Sequence, residues 1–189
     1  MTLATWITFS RLLGIPFLLY FLHDPTPFHR WVSLAIFLIV ASTDWLDGYI
    51  ARRFNQVTDL GKFLDPLVDK LLVLGAFLAL IELQQVPAWG VFLILARELT
   101  IAGWRVSQTT ISGANIWGKL KTVTQIASIS LLIAPLSAQW HLPTQITFWL
   151  AVGITIVSGI LYLLPRSIVK ESIDLAVQSN QISEKPKDL

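Results

Sequence analysis

Four aspartates, Asp44, Asp47, Asp65 and Asp69, stand inside strongly apolar sequence, and they are four of only 12 acidic residues in the chain. Carboxylates beside membrane-grade sequence are costly and need a compensating partner. Residues three or four apart share one face of a helix. Asp44, Asp47, Gly48 and Ala51 therefore form one stripe, and Gly61, Asp65 and Asp69 another. The link over 53–60 is short enough to make the two helices neighbours, so the stripes can face each other. Four converging oxygen donors suit a hard divalent cation, Mg²⁺ or Mn²⁺. Two such ions about 3.5–4 Å apart can clamp a phosphoryl centre from both sides of an in-line displacement.

Two other uses of such acids stand beside this one. They can pair with Arg52, Arg53, Lys62 and Lys70 as helix-end salt bridges, or they can line a cation pathway of the transporter kind. Gly48, Ala51 and Gly61 have little or no side chain, so a flat group such as a nucleobase can press against the helix backbone there. Arg52, one step further, offers a fork of donors to a diphosphate. Pro66 cannot donate a backbone hydrogen bond, which predicts a kink or a helix start at that point.

The elements that hold these residues are membrane helices. The chain is 54% hydrophobic and 14% charged, with eight Trp and ten Phe, and its mean hydropathy is +0.64. A soluble domain carries about 25% charged residues, and aromatic residues gather at the lipid–water boundary. A span needs about 20 mostly apolar residues. Six candidates fit, at 7–23, 31–51, 63–82, 87–105, 117–137 and 144–164. The expected class is all-α, a polytopic membrane protein of six transmembrane helices with a short amphipathic N-terminal segment around Thr5, Trp6, Thr8, Ser10 and Arg11. Residues 1–170 make one membrane domain and 171–189 a polar tail. No cysteine is present, which excludes disulfides and thiolate chemistry. A net charge of +2 gives no footprint for nucleic acid.

Lys and Arg are unevenly distributed. The links near 24–30, 82–88 and 138–143 carry only Arg30, whereas those near 52–62 and 105–121 carry Arg52, Arg53, Lys62, Arg105, Lys119 and Lys121. Arg166, Lys170, Lys185 and Lys187 follow the last span. The positive-inside rule then puts both termini, the basic links and all four aspartates on the cytoplasmic side of a plasma (inner) membrane. His23, His29 and His141 fall in the outer links, away from the acids. Gly75, Gly103, Gly153 and Gly159 read as sites of close helix packing.

The run Asp44-x-x-Asp47-Gly48-x-x-Ala51-Arg52-x8-Gly61-x-x-x-Asp65-x-x-x-Asp69 resembles the signature of the CDP-alcohol phosphatidyltransferases, with every specified position filled. The stretches Ala96-Arg-Glu-Leu-Thr100 and Gly118-Lys-Leu-Lys-Thr122 are similar to the branch of that family whose acceptor is glycerol 3-phosphate. The chain departs from the family at Ala4-Thr5, where members often have Pro-Asn. The resemblance implies a homodimeric six-helix membrane enzyme that moves a phosphatidyl group from CDP-diacylglycerol to an alcohol and releases CMP. It implies Asp44, Asp47, Asp65 and Asp69 as metal ligands, with Asp69 also the general base. Gly48, Ala51, Arg52, Thr58 and Gly61 would contact the CDP group. Glycerol 3-phosphate would need positive charge beside the metals, and Arg97, Arg105, Lys119 and Lys121 are the candidates for its phosphate, with Glu98 orienting a neighbouring Arg. Inositol phosphate, serine and phosphatidylglycerol are the alternative acceptors.

Overall fold

A computed structural model describes residues 3–54, 59–106 and 116–163. The side chains of 3–9, 44–54 and 59–66, and of Asp69, Arg105, Val106, Trp117 and Leu163, lie outside the described set. So do Thr58 and the tail expected at 171–189.

The described residues form six α-helices and one 3₁₀ turn: α1 Leu3–His23, α2 Pro27–Phe54, α3 Asp59–Glu82, α4 Ala88–Val106, α5 Ile116–Ile133, the turn Ala138–Trp140, and α6 His141–Leu163. The six expected segments are thus all helical, with shifted ends. α3 starts at Asp59 and passes through Pro66, so of the kink or helix start expected at that proline, the start lies seven residues earlier. A proline forfeits its own N–H bond, and packing against neighbouring helices sustains the remainder of the helix. α1 runs without a break from Leu3 through Pro16, so the residues expected to form the amphipathic segment, Thr5 to Arg11, belong to this helix. Among the described residues one stretch, Ala138–Tyr162, is long and apolar enough to cross a membrane by length and composition; Ser10–His23 and Pro27–Thr43 are apolar but shorter.

α1 packs on α2 and α3, α6 packs on α4 and α5, and α2 and α3 both touch α5, which joins the two halves. Phe37, Phe77, Phe148, Leu18, Leu80 and Ile129 fill the centre. Close approach depends on glycines at two crossings. A Cβ on Gly14 would lie 2.7 Å from Val40, and one on Gly90 would lie 2.8 Å from the ring of Phe148. Gly75 is also tight, 3.3 Å from Ile15, whereas a Cβ on Gly103 or Gly153 meets nothing within 4 Å. The packing role expected at those last two positions is therefore corrected.

Polarity is distributed as in a lipid-facing bundle. Ser33, Gln125, Ser128, Thr155 and Ser158 are buried, while Leu13, Phe17, Phe92, Leu99, Val123 and Leu150 are exposed. Without a hydrophobic drive between helices in lipid, small and polar side chains hold the interfaces. Here Gln125 Nε2 donates to Thr155 Oγ1 at 2.9 Å across α5 and α6. Arg30, in the first turn of α2, donates to the carbonyls of Leu132 and Ile133 at 2.7 and 2.9 Å, closing the C-terminal end of α5.

Candidate active site

The acids lie on the two helices that flank one short link. Asp44, Asp47, Gly48, Ala51 and Arg52 belong to the last three turns of α2; Gly61, Asp65 and Asp69 belong to the first three turns of α3. α2 and α3 are in contact, so the backbone brings the four positions to one end of the bundle. Their side chains lie outside the described residues, as does that of Arg105. Among the described residues no cluster of three acids or histidines gathers. The donor set itself fits Mg²⁺ or Mn²⁺: four carboxylates at helical spacings of three and four, on two touching helices, and no softer ligand in the motif.

A cavity of about 150 Å³ opens at this end between α3, α4 and α5. Its walls are apolar, among them Leu74, Phe77, Val91 and Ile94, and its charged lining consists of Lys70, Glu98 and Lys121. Lys70 directly follows Asp69. The cavity therefore joins the turn of α3 that follows Asp69 to Glu98 on α4 and Lys121 on α5.

Those basic residues are organised by one carboxylate. Glu98 Oε1 accepts from Arg97 Nη1 at 3.3 Å and from Lys121 Nζ at 2.5 Å. All three side chains are nearly buried, at 13–14% exposure. Two cations share one carboxylate, and the low-dielectric surroundings strengthen each interaction. Arg97 Nη2 also donates to Ser158 Oγ on α6 at 3.1 Å. Of the four residues expected to hold a phosphate, Arg97 and Lys121 are thus brought together on Glu98; of these two only Lys121 lines the cavity, and Lys119 is exposed. The orienting role expected of Glu98 is present in this geometry. Ser158 was not legible as part of the site, because a serine in an apolar helix gives no signal of its own.

The three histidines have partners or positions at the opposite end. His29 Nδ1 lies 2.8 Å from the carbonyl of Asp24, His23 lies 3.9 Å from Glu82, and His141 opens α6.

Over residues 1–157 the sequence matches the family model described as CDP-alcohol phosphatidyltransferase. It is 39% identical, over 142 residues covering 72% of this chain and 74% of the relative, to the CDP-diacylglycerol–glycerol-3-phosphate 3-phosphatidyltransferase of Bacillus subtilis (strain 168). It is 35% identical, over 165 residues covering 85% of this chain and 79% of the relative, to a probable phosphatidylglycerophosphate synthase of Mycobacterium tuberculosis (strain ATCC 25618 / H37Rv). A cardiolipin synthase (CMP-forming) of Oryza sativa subsp. japonica is 35% identical over 162 residues, covering 77% of this chain and 49% of that protein.

Proposed function

Because the chain belongs to the CDP-alcohol phosphatidyltransferase family, we propose that it transfers a phosphatidyl group from CDP-diacylglycerol to sn-glycerol 3-phosphate, giving phosphatidylglycerophosphate and CMP. The observation that carries the choice of acceptor is the Arg97–Glu98–Lys121 cluster, of which Glu98 and Lys121 line one cavity with Lys70 of α3. An arginine and a lysine held on one carboxylate suit a phosphorylated acceptor, and the names of the bacterial relatives agree with that acceptor.

The residues divide the work as follows. Asp44, Asp47, Asp65 and Asp69 would hold two Mg²⁺ or Mn²⁺ ions, which neutralise the diphosphate of the bound nucleotide. Gly48, Ala51 and Gly61 leave room for the cytidine against the helix backbone, and Arg52 meets the diphosphate, with Thr58 beside it. Arg97 and Lys121 hold the phosphate of the acceptor, with Arg105 and Lys119 drawing it in. Asp69 takes the proton from the primary hydroxyl of glycerol 3-phosphate. That oxygen attacks the phosphorus bonded to diacylglycerol, the bond from this phosphorus to CMP breaks, and CMP departs with the electron pair. The acyl chains stay in the bilayer.

The protein works as a homodimer of six-span subunits in the inner membrane, with both termini and the site facing the cytoplasm. The excess of Lys and Arg at the ends of α2 and α4 and the starts of α3 and α5 supports this orientation.

The test is turnover of the purified protein with CDP-diacylglycerol and each acceptor in turn, with Mg²⁺ or Mn²⁺ or with EDTA. Glycerol 3-phosphate should give phosphatidylglycerophosphate, and EDTA should abolish the product until either metal is restored. The similarity to the rice cardiolipin synthase supports a second reading, phosphatidylglycerol as acceptor. Cardiolipin as the main product would establish that reading and overturn the first.

A further inference from the structure

Arg97 arises from α4, yet its side chain lies against α6. Its Nη2 donates to Ser158 Oγ at 3.1 Å, and Ser158 Oγ in turn donates to the Thr155 carbonyl at 2.8 Å, which fixes the lone pairs that remain for the guanidinium. The next residue, Gly159, is buried, and a Cβ placed there would lie 2.8 Å from Arg97 Cγ and 3.2 Å from Nε. Contact at 2.8 Å with the near end of a side chain cannot be relieved by moving its tip. Any residue larger than glycine must displace the whole Arg97 stem. On the other side, Glu98 Oε1 takes Nη1 at 3.3 Å. The guanidinium is thus aimed from two directions, by a carboxylate on its own helix and by a serine–glycine notch on α6.

We propose that Ser158 and Gly159 are positioning residues for acceptor binding: they form the seat that aims Arg97 at the phosphate of glycerol 3-phosphate. The inference rests on the acceptor reading given above and adds to it a determinant on a helix that carries none of the motif residues. Both positions lie just beyond the stretch matched by the family model, which ends at residue 157. Arginine gains its specificity for phosphate from a planar fork held in one orientation. A fork turned away by its stem loses at least one charge-assisted bond.

The experiment measures KM and kcat for both substrates in the full-length protein. Gly159→Ala should raise the KM for glycerol 3-phosphate about tenfold, the size of one lost charge-assisted hydrogen bond. Its kcat and its KM for CDP-diacylglycerol should stay within about twofold of the parent, because the CDP group is held elsewhere. Ser158→Ala should act in the same direction by roughly threefold, and it carries the test if Gly159→Ala does not fold. Gly153→Ala, on the same helix with nothing within 4 Å of the added Cβ, should change neither constant.

A double-mutant cycle separates seating from packing. In an Arg97→Ala background, Gly159→Ala should have no further effect on the acceptor KM, since the three atoms nearest the added Cβ all belong to the Arg97 side chain; a general packing defect would persist. Should Arg97→Ala raise the acceptor KM while both Gly159→Ala and Ser158→Ala leave it unchanged, the seat is refuted and the acceptor reading survives. Should Arg97→Ala itself leave that KM unchanged, the acceptor reading falls, and the seat with it.

Discussion

At the scale of single residues, chemistry was legible wherever a residue type and its helical spacing suffice. The four aspartates, the small residues between them and Arg52 sit on two helices in contact with each other. Asp69→Asn keeps the shape and removes the base, so kcat should fall by about 10²–10⁴-fold while the detergent-solubilised protein elutes as before; near-normal turnover would refute Asp69 as the base. Partners across helices were less legible. Lys119 and Lys121 are equivalent basic residues in sequence, but Lys121 reaches Glu98, 23 positions away on another helix, whereas Lys119 is exposed. Lys121→Ala should therefore raise the KM for glycerol 3-phosphate by roughly tenfold or more, the cost of a bond to a charged group in a nearly dry site. Lys119→Ala should change it by less than about threefold, as expected of a solvated charge. The reverse order would show that the exposed lysine, not the clustered one, meets the acceptor.

At the scale of elements, the apolar pattern located all six helices, because burial of a long apolar stripe is a property of sequence alone. Their ends were less legible. Pro66 reads locally as a boundary, yet α3 begins at Asp59, since the loss of one backbone bond is offset by neighbouring helices. Glycines had the same ambiguity: only contact distances separate Gly90, wedged against Phe148, from Gly103 and Gly153, which face open space. The Phe148 ring cannot yield easily, being fully buried with its centroid 5.9 Å from Phe77 and 5.1 Å from Trp149. Gly90→Ala should consequently destabilise the α4–α6 crossing by about 1–3 kcal/mol, the usual cost of overpacking. That change is readable as a lower thermal midpoint in detergent; Gly103→Ala, which adds its methyl group to open space, should leave the midpoint in place.

At the scale of the molecule, buried polar groups and exposed leucines and phenylalanines suit a bilayer, and the distribution of charge bears on orientation. The positive-inside reading has one exception, Arg30, the sole basic residue in the links assigned to the outer face. The structure gives that residue separate work: it closes the end of α5 through the Leu132 and Ile133 carbonyls, so its charge is held by the fold. With Arg30 accounted for, the remaining asymmetry supports the proposed orientation, with Lys119 and the aspartate-bearing turns on the inner face. The absence of cysteine makes the test direct. Gln84 and Lys119 are both exposed, one in the turn after α3 and the other in the first turns of α5. In intact cells, a membrane-impermeant maleimide should label Gln84→Cys at once and Lys119→Cys only after permeabilisation. Labelling of Lys119→Cys in sealed cells would invert the orientation and put the nucleotide end of the bundle on the side where no CDP-linked lipid headgroup is expected. The enzyme reading would then need its substrate from the wrong face of the membrane.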